Sequence, residues 1–340
     1  MNKLNSYTRI DIMDYLRGFA LLGILLVNGY QAMGYLSNTN ELHQVLYDIF
    51  NRKFYPILFF LFGFGCYLFM NRSNQKINNR YPLFLRRICF LFVLGLIHTF
   101  YAPLGINDVL MVYAVLGLFI VIFFKRNKWT NLIVTVTLIA LSIVTAFCQP
   151  PYYDEFIVWL YTLSYISQWF SLVMLGYTMG QFKFFENVYG KLKYISIFLI
   201  VNICTYVSLF FVRKLEIHPV VPEILESYTV ASIIASSFLI ILQWDKAKMI
   251  LTPLKFYGQM SLTNYLAQSV LLIVFSIIIG FTPINSLIVC FIIHAILITF
   301  SIVWLRYFKM GPVEWLLRYF TYWSKIPNRK KSVRNDLESV

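Results

Sequence analysis

Apolar runs near the length that crosses a bilayer as a helix follow one another along the chain, separated by short polar, basic or proline-containing stretches. Ten spans are predicted, near residues 12–33, 55–71, 84–101, 108–124, 130–148, 162–181, 194–212, 228–243, 260–280 and 285–305. The fold class that follows is all-α, a polytopic helical bundle in a membrane. No internal repeat or low-complexity domain interrupts it. Residues 1–326 read as a single transmembrane domain and 327–340 as a charged, disordered cytoplasmic tail.

The first span departs from a plain apolar helix. Asp14, Arg17 and Asn28 fall inside it or at its rims. Arg17 and Asn28 are eleven residues apart, about 20° around a helix axis, and Asp14 precedes Arg17 by one turn. A charge in hydrocarbon costs roughly 2.5–3.5 kcal/mol on insertion scales, so this polar seam is expected to face a protein interior or a wet cavity. The plainer alternative pairs Asp14 with Arg17 at the membrane interface, where long side chains reach for water.

Composition agrees with the pattern. The 340 residues are 59% hydrophobic and 13% charged, with 32 Phe and 24 Tyr. The five cysteines, Cys66, Cys89, Cys148, Cys204 and Cys290, lie apart in apolar segments and read as small hydrophobes, with no metal-ligand spacing. A cleaved signal peptide is not expected, because the first apolar helix is long, contains charges and lacks a small-residue cleavage pattern after it. The net charge of +14 could suggest nucleic acid, but its placement says otherwise. All of the 29 Lys and Arg except Arg17, Arg52, Lys53, Arg213 and Lys214 fall on one side of the predicted topology, among them the loops at 72–87, 125–128, 183–193 and 246–255. The positive-inside rule makes that side, with both termini, cytoplasmic. Membrane lipid is the expected partner of this charge, and nucleic acid is not. Richness in Ile, Lys, Asn, Phe and Tyr points to an AT-rich bacterial genome and hence to the plasma membrane. On the outer side, residues 34–54 and 213–227 form connections long enough to act as lids or acceptor surfaces.

Candidate chemistry lies at both faces. His98 ends the third span and Asp108 opens the fourth, brought together by a short outer turn containing Pro103 and Gly105. A carboxylate beside an imidazole fixes its tautomer and raises its basicity, as a general base requires. A helix-end histidine and an N-cap aspartate would look the same. At the inner face Ser261, Asn264 or Tyr265, and Gln268 make a polar stripe that either bonds between helices or lines a cavity. Gly311–Lys325 reads as an interfacial helix, with Pro312 at its start, Glu314 and Arg318 at i,i+4, and Trp315 and Trp323 at the aromatic belt.

The segment Asp14-Tyr-Leu-Arg-Gly-Phe-Ala-Leu-Leu-Gly-Ile-Leu-Leu-Val-Asn28 resembles the YeiB-like membrane family, domain of unknown function 418. So do Leu61-Phe-Gly-Phe-Gly65, Arg86-Arg87 with Gly95-Leu-Ile-His98, Asp108 with Tyr113, Gly258 with Asn264, Tyr265 and Gln268, and Gly311-Pro-Val-Glu-Trp-Leu-Leu-Arg318. The matches keep their order along nearly the whole chain. That family is grouped with the transmembrane acyltransferases, including the acyltransferase-3 O-acetylases and the heparan-glucosaminide N-acetyltransferase. The resemblance implies a bundle that takes an acyl group from cytoplasmic acyl-CoA and delivers it to an acceptor across the membrane. One departure stands out: acyltransferase-3 relatives carry an essential histidine eleven residues after the arginine, where this chain has Asn28. His43 follows in the next loop, at a spacing that does not match the heparan-glucosaminide branch.

On this reading Arg17, helped by Arg86 or Arg87 and by Arg318, offers cations to the phosphates of the acyl-CoA donor. His98, oriented by Asp108, activates an acceptor hydroxyl or amine, and Asn28 donates to the developing oxyanion. Asp14, Tyr113, Asn264 and Gln268 are expected to contact substrate. The acceptor would be an envelope polysaccharide or a lipid-linked group; no metal is called for. A proton-coupled transporter using His98 and Asp108 as its switch is the main alternative, and a non-catalytic scaffold the third.

Overall fold

A computed structural model describes residues 2–36, 53–71, 80–101, 108–148, 155–214, 220–279, 282–324 and 326–330. Among these the chain is helical: α1 (Asn2–Leu36), α2 (Tyr55–Met70), α3 (Arg80–Tyr101), α4 (Val109–Ile120), α5 (Lys128–Phe147), α6 (Glu155–Gln181), α7 (Leu192–Lys214), α8 (Val220–Ile241), α9 (Asp245–Gln259), α10 (Ser261–Ile279), α11 (Pro283–Tyr307) and α12 (Pro312–Tyr322). Every predicted span falls on one of them. Eight contain stretches long and apolar enough to cross a bilayer alone, and Tyr55–Met70 and Val109–Phe123 are shorter apolar helices. The chain is therefore an integral membrane helical bundle. Below, the inner end is the one at which α1 begins.

Several starts are written locally. Asp108 caps α4 by accepting from Met111 N at 2.8 Å, Asn127 caps α5 through Thr130 N at 2.7 Å, and Thr282 caps α11 through Asn285 N at 3.2 Å. Pro56 and Pro312 stand in the first turns of α2 and α12, where no amide donor is missed.

α1 is the axis of the bundle. Its apolar span is 78% buried, against 6–44% for the other seven long spans. A charged seam is tolerated there because little of α1 meets lipid. Glycines let neighbouring helices approach to backbone contact: Gly18 lies against the Leu254 carbonyl, Gly258 against that of Asp14, and on a second crossing Gly63 and Gly176 join α2 to α6. α7, 6% buried in its span, is peripheral.

Three connections differ from expectation. The inner loop predicted at 246–255 is helix α9, laid against α1 through Gly258, with Lys255 paired to Asp11 at 2.8 Å. Its lysines and Pro253 gave the segment the look of a loop. The outer connection predicted over 213–227 is shortened because α8 begins at Val220, and Glu226 on it ties Lys53 (3.0 Å) to Arg213 (3.3 Å). The start of the expected loose tail is held: Asn328 accepts from Lys309 N, and Lys330 N bonds Tyr307 O at 2.9 Å. Residues 37–52, with His43, and 331–340 lie outside the described residues.

Candidate active site at two cavities along the first helix

Two cavities lie along α1. The inner one, about 490 Å³, is bordered by Asp14, Arg17, Cys66, Arg87, Tyr113, Tyr265, Lys309, Glu314 and Arg318 among apolar side chains. The outer one, about 390 Å³, is bordered by Gln31, Tyr55, Phe59, Asp108, Tyr161, Tyr165, Gln168, Trp169 and Ser227. Val109 borders both. Val109 is therefore part of the wall between them.

The inner cavity carries an excess of positive charge. Arg17, Arg87, Lys309 and Arg318 face two carboxylates, and both of these are occupied. Asp14 Oδ1 lies 3.1 Å from Arg17 Nη1. Glu314 Oε1 accepts from the amides of Leu262 (2.7 Å) and Thr263 (3.1 Å), and its Oε2 accepts from the Thr263 hydroxyl (2.6 Å). Thr263 Oγ1 in turn accepts from Val313 N at 3.1 Å. Glu314 thus caps α10 while Thr263 caps α12, and a side chain at Gly311 would strike both groups. Burial pushes the Glu314 carboxyl above its ordinary value of 4.5, and these bonds pull it part of the way back. The i,i+4 relation of Glu314 to Arg318 is not where its oxygens are used.

Of the two candidate arginines on α3, Arg87 borders the cavity and lies 5.8 Å over the Phe69 ring. Arg86 instead covers the Trp323 ring at 4.7 Å and so holds the end of α12. Tyr113 borders the inner cavity and stacks on Phe62 at 4.6 Å between centroids.

Asn28 borders neither cavity and is fully buried. Its Oδ1 accepts from Tyr55 OH at 3.2 Å, while its Nδ2 has no hydrogen-bond partner among the described residues. A buried amide donor left unpaired is costly, so it is a group that a ligand could satisfy. One turn on, Gln31 Oε1 is also unpaired among the described residues, and Gln31 borders the outer cavity. Along α6, Tyr161, Tyr165 and Trp169 follow at four-residue steps, their rings 4.7 and 6.3 Å apart.

His98 and Asp108 meet as expected, Nδ1 lying 3.0 Å from Oδ1. Only Asp108 borders a cavity. His98 sits behind it, wholly buried, with Nε2 2.8 Å from Ser269 Oγ. Tyr265 OH accepts from Val109 N at 3.3 Å and lies 3.5 Å from Asp108 Oδ1.

Asn264 and Gln268, expected at the substrate, border neither cavity. Asn264 Nδ2 donates to Tyr257 O and Ser301 Oγ, both at 2.9 Å, and Gln268 Nε2 donates to Leu21 O at 3.1 Å and to Tyr257 OH. His294 joins the same network through Leu22 O at 3.1 Å. These groups fasten α1, α9, α10 and α11 together. Tyr265 belongs to the polar stripe read from the sequence, whereas Lys309, Tyr55 and Ser269 carry no sequence signal of a site by themselves. Ser269 and Tyr265 share one face of α10 at i,i+4, which is the signal that was available.

A family model described as heparan-alpha-glucosaminide N-acetyltransferase, catalytic, matches residues 9–196. A second, described as protein of unknown function (DUF418), matches residues 180–324. The chain is 34% identical to the uncharacterized 39.9 kDa protein in amylase 3'region of Bacillus acidopullulyticus, over 94% of this chain and 95% of that one. It is 27% identical to YxaH of Bacillus subtilis over 95% and 97% of the two chains. To YeiB of Escherichia coli it is 41% identical over 81 residues, 23% of this chain and 21% of that one.

Proposed function

Because the chain belongs to the YeiB-like DUF418 family, within the superfamily of the transmembrane acyltransferases, we propose that it is a membrane-bound acyltransferase using acyl-CoA as donor. The observation that carries this is the contact of the two cavities at Val109, one cationic and one holding a carboxylate. Arg17, Arg87, Lys309 and Arg318 would bind the phosphates of the donor, with the thioester directed at the wall. An acceptor hydroxyl or amine in the outer cavity would attack the thioester carbonyl carbon. Its proton passes to the Asp108–His98 pair, the new bond to carbon forms, and the carbon–sulfur bond breaks with its electron pair leaving on sulfur. Asn28 Nδ2–H is the donor for the oxyanion of the tetrahedral intermediate.

The distance along α1 suits this division, because Arg17 and Asn28 are about 16 Å apart at 1.5 Å per residue. The aromatic steps and amide groups of the outer cavity suit an acceptor with both apolar and hydrogen-bonding faces, such as an envelope polysaccharide or a lipid-linked group. On this reading the inner end is cytoplasmic and the membrane is the bacterial plasma membrane.

Thermal melting of the detergent-solubilised protein against acetyl-CoA, with CoA and ATP as controls, tests the donor site. A ligand bound only by the folded protein stabilises by about 2.7 kcal/mol at a hundredfold excess over Kd. Saturable stabilisation that is lost in Arg17→Ala and Arg87→Ala is expected. No shift with acetyl-CoA up to millimolar concentration would refute the donor site and favour transport.

A further inference from the structure

His98 is held at both of its ring nitrogens. It is fully buried and uses both: Nδ1 faces Asp108 Oδ1 at 3.0 Å and Nε2 faces Ser269 Oγ at 2.8 Å. An ionised carboxylate can only accept, so it places the ring proton on Nδ1. Nε2 is then an acceptor, and the Ser269 hydroxyl is its donor. Ser269 is itself fully buried, and the His98 ring is closed in by Tyr101 at 5.3 Å and Tyr265 at 5.1 Å between centroids. Asp108 spends Oδ2 on Met111 N, and it is the member of this chain of three that reaches a cavity.

We propose that Ser269 is a positioning residue that locks His98 as the neutral Nδ1–H tautomer, so that Asp108 is the base that meets the acceptor. His98 serves Asp108 by donating one fixed hydrogen bond, and Ser269 serves His98 by occupying the nitrogen that would otherwise turn it into a competing base. The order of the chain is thus the reverse of a hydrolase triad, in which the serine attacks and the carboxylate stays behind. Here the serine is at the closed end and the carboxylate at the open one. The assignment of Asp108 as base rests on the acyl-transfer reading; the tautomer lock does not.

The two parts have separate tests. Protein labelled with 15N-histidine in detergent or bilayers has four imidazoles to resolve, His43, His98, His218 and His294, and His98→Gln assigns one pair. In the wild type at pH 7 the His98 signals should show a protonated Nδ1 and an unprotonated, hydrogen-bonded Nε2. Ser269→Thr should keep this pattern and Ser269→Ala should lose the hydrogen-bonded Nε2 signal. A wild-type His98 protonated at Nε2 overturns the lock, with or without any turnover. In the transfer assay Ser269→Ala should lower kcat with KM for acyl-CoA unchanged, move the pH profile, and be rescued by Ser269→Thr. Asp108→Asn should abolish transfer while leaving acetyl-CoA stabilisation intact; full transfer in Asp108→Asn overturns the base assignment.

Discussion

The crossing of α1 and α9 gives the sharpest test of the fold, because it sets the position of the inner charges. A methyl group added at Gly258 would come within 2.7 Å of Gly18 N and closer still to the Asp14 carbonyl oxygen. Ordinary heavy-atom contacts lie near 3.5–4.0 Å, so the helices would have to part by roughly 1.5–2 Å. Overpacking against rigid backbone costs about 1–3 kcal/mol, and the better helix propensity of alanine returns about 1 kcal/mol. Gly258→Ala should therefore destabilise by about 2 kcal/mol if the steric cost is at its upper end. Gly65 supplies the control, for a Cβ there meets nothing within 4 Å. Gly65→Ala should be neutral or stabilising by about 0.5–1 kcal/mol. For a chain of this size Tm moves roughly 1–2 °C per kcal/mol. Differential scanning fluorimetry on the seven tryptophans should then show Gly258→Ala melting about 2–4 °C low and Gly65→Ala about 1 °C high. Since the clash falls on Asp14 and Gly18, either side of Arg17, Gly258→Ala should also weaken acetyl-CoA stabilisation. Equal Tm shifts in the two variants would refute the close crossing.

The adjacent arginines of α3 should separate cleanly: Arg87→Ala abolishes acetyl-CoA stabilisation, whereas Arg86→Ala keeps it and lowers Tm by freeing the Trp323 end of α12 from α3. Donor binding by the wild type should weaken as salt is raised, because its determinants are partly exposed cations; a salt-independent midpoint would contradict a phosphate site. Glu314→Ala removes the cap of α10 and should cost about 1 kcal/mol in melting experiments. Because the folded Glu314 carboxyl titrates above 4.5, the folded state holds that proton more tightly than the unfolded one, and stability from this group falls as pH rises through the interval. Glu314→Gln should remove that component from the pH dependence of Tm above 4.5; an unchanged profile would refute it. Tyr55→Phe leaves Asn28 Oδ1 unpaired and should cost about 1 kcal/mol while sparing acetyl-CoA binding, as measured by melting with and without the donor.

The spans were legible because a bilayer imposes a length and an apolar composition that the chain cannot disguise. The pairing of His98 with Asp108 was legible for a similar reason: helix ends at Tyr101 and Asp108 are too close in sequence to lie far apart in space. What the sequence could not give was the rotation of a polar stripe about its helix. On α10, residues 264 and 265 differ by 100° around the axis, as do 268 and 269. Asn264 and Gln268 were chosen, and they turn towards Tyr257, Ser301 and Leu21. Tyr265 and Ser269, one residue on, turn towards Asp108 and His98. The same ambiguity hid the division of labour between Arg86 and Arg87. α9 was missed because its lysines and Pro253 read as an inner loop, and nothing local announced that Gly258 would meet α1.

These two faces of α10 explain why α1 can carry a charged and an amide group without losing its place. A polar seam on a membrane helix gives no preference for one depth unless its neighbours recognise fixed points along it. Here the carbonyls of Leu21 and Leu22 are held by Gln268 and His294, and that of Leu25 accepts from the Cys290 thiol at 3.6 Å. These bonds lie between Arg17 and Asn28 in sequence, and the Gln268 and His294 side chains that make two of them border neither cavity. They fix the height of α1, and with it the heights of its two functional groups. If acyl transfer requires an Arg17-bound donor to present its thioester at Asn28, a shift of one turn, 5.4 Å, would move both groups away from the heights of the side chains they work with. Gln268→Leu should therefore reduce transfer and donor binding together although it touches neither cavity. Loss of transfer with donor binding intact would instead place Gln268 in the chemistry and refute the anchoring role.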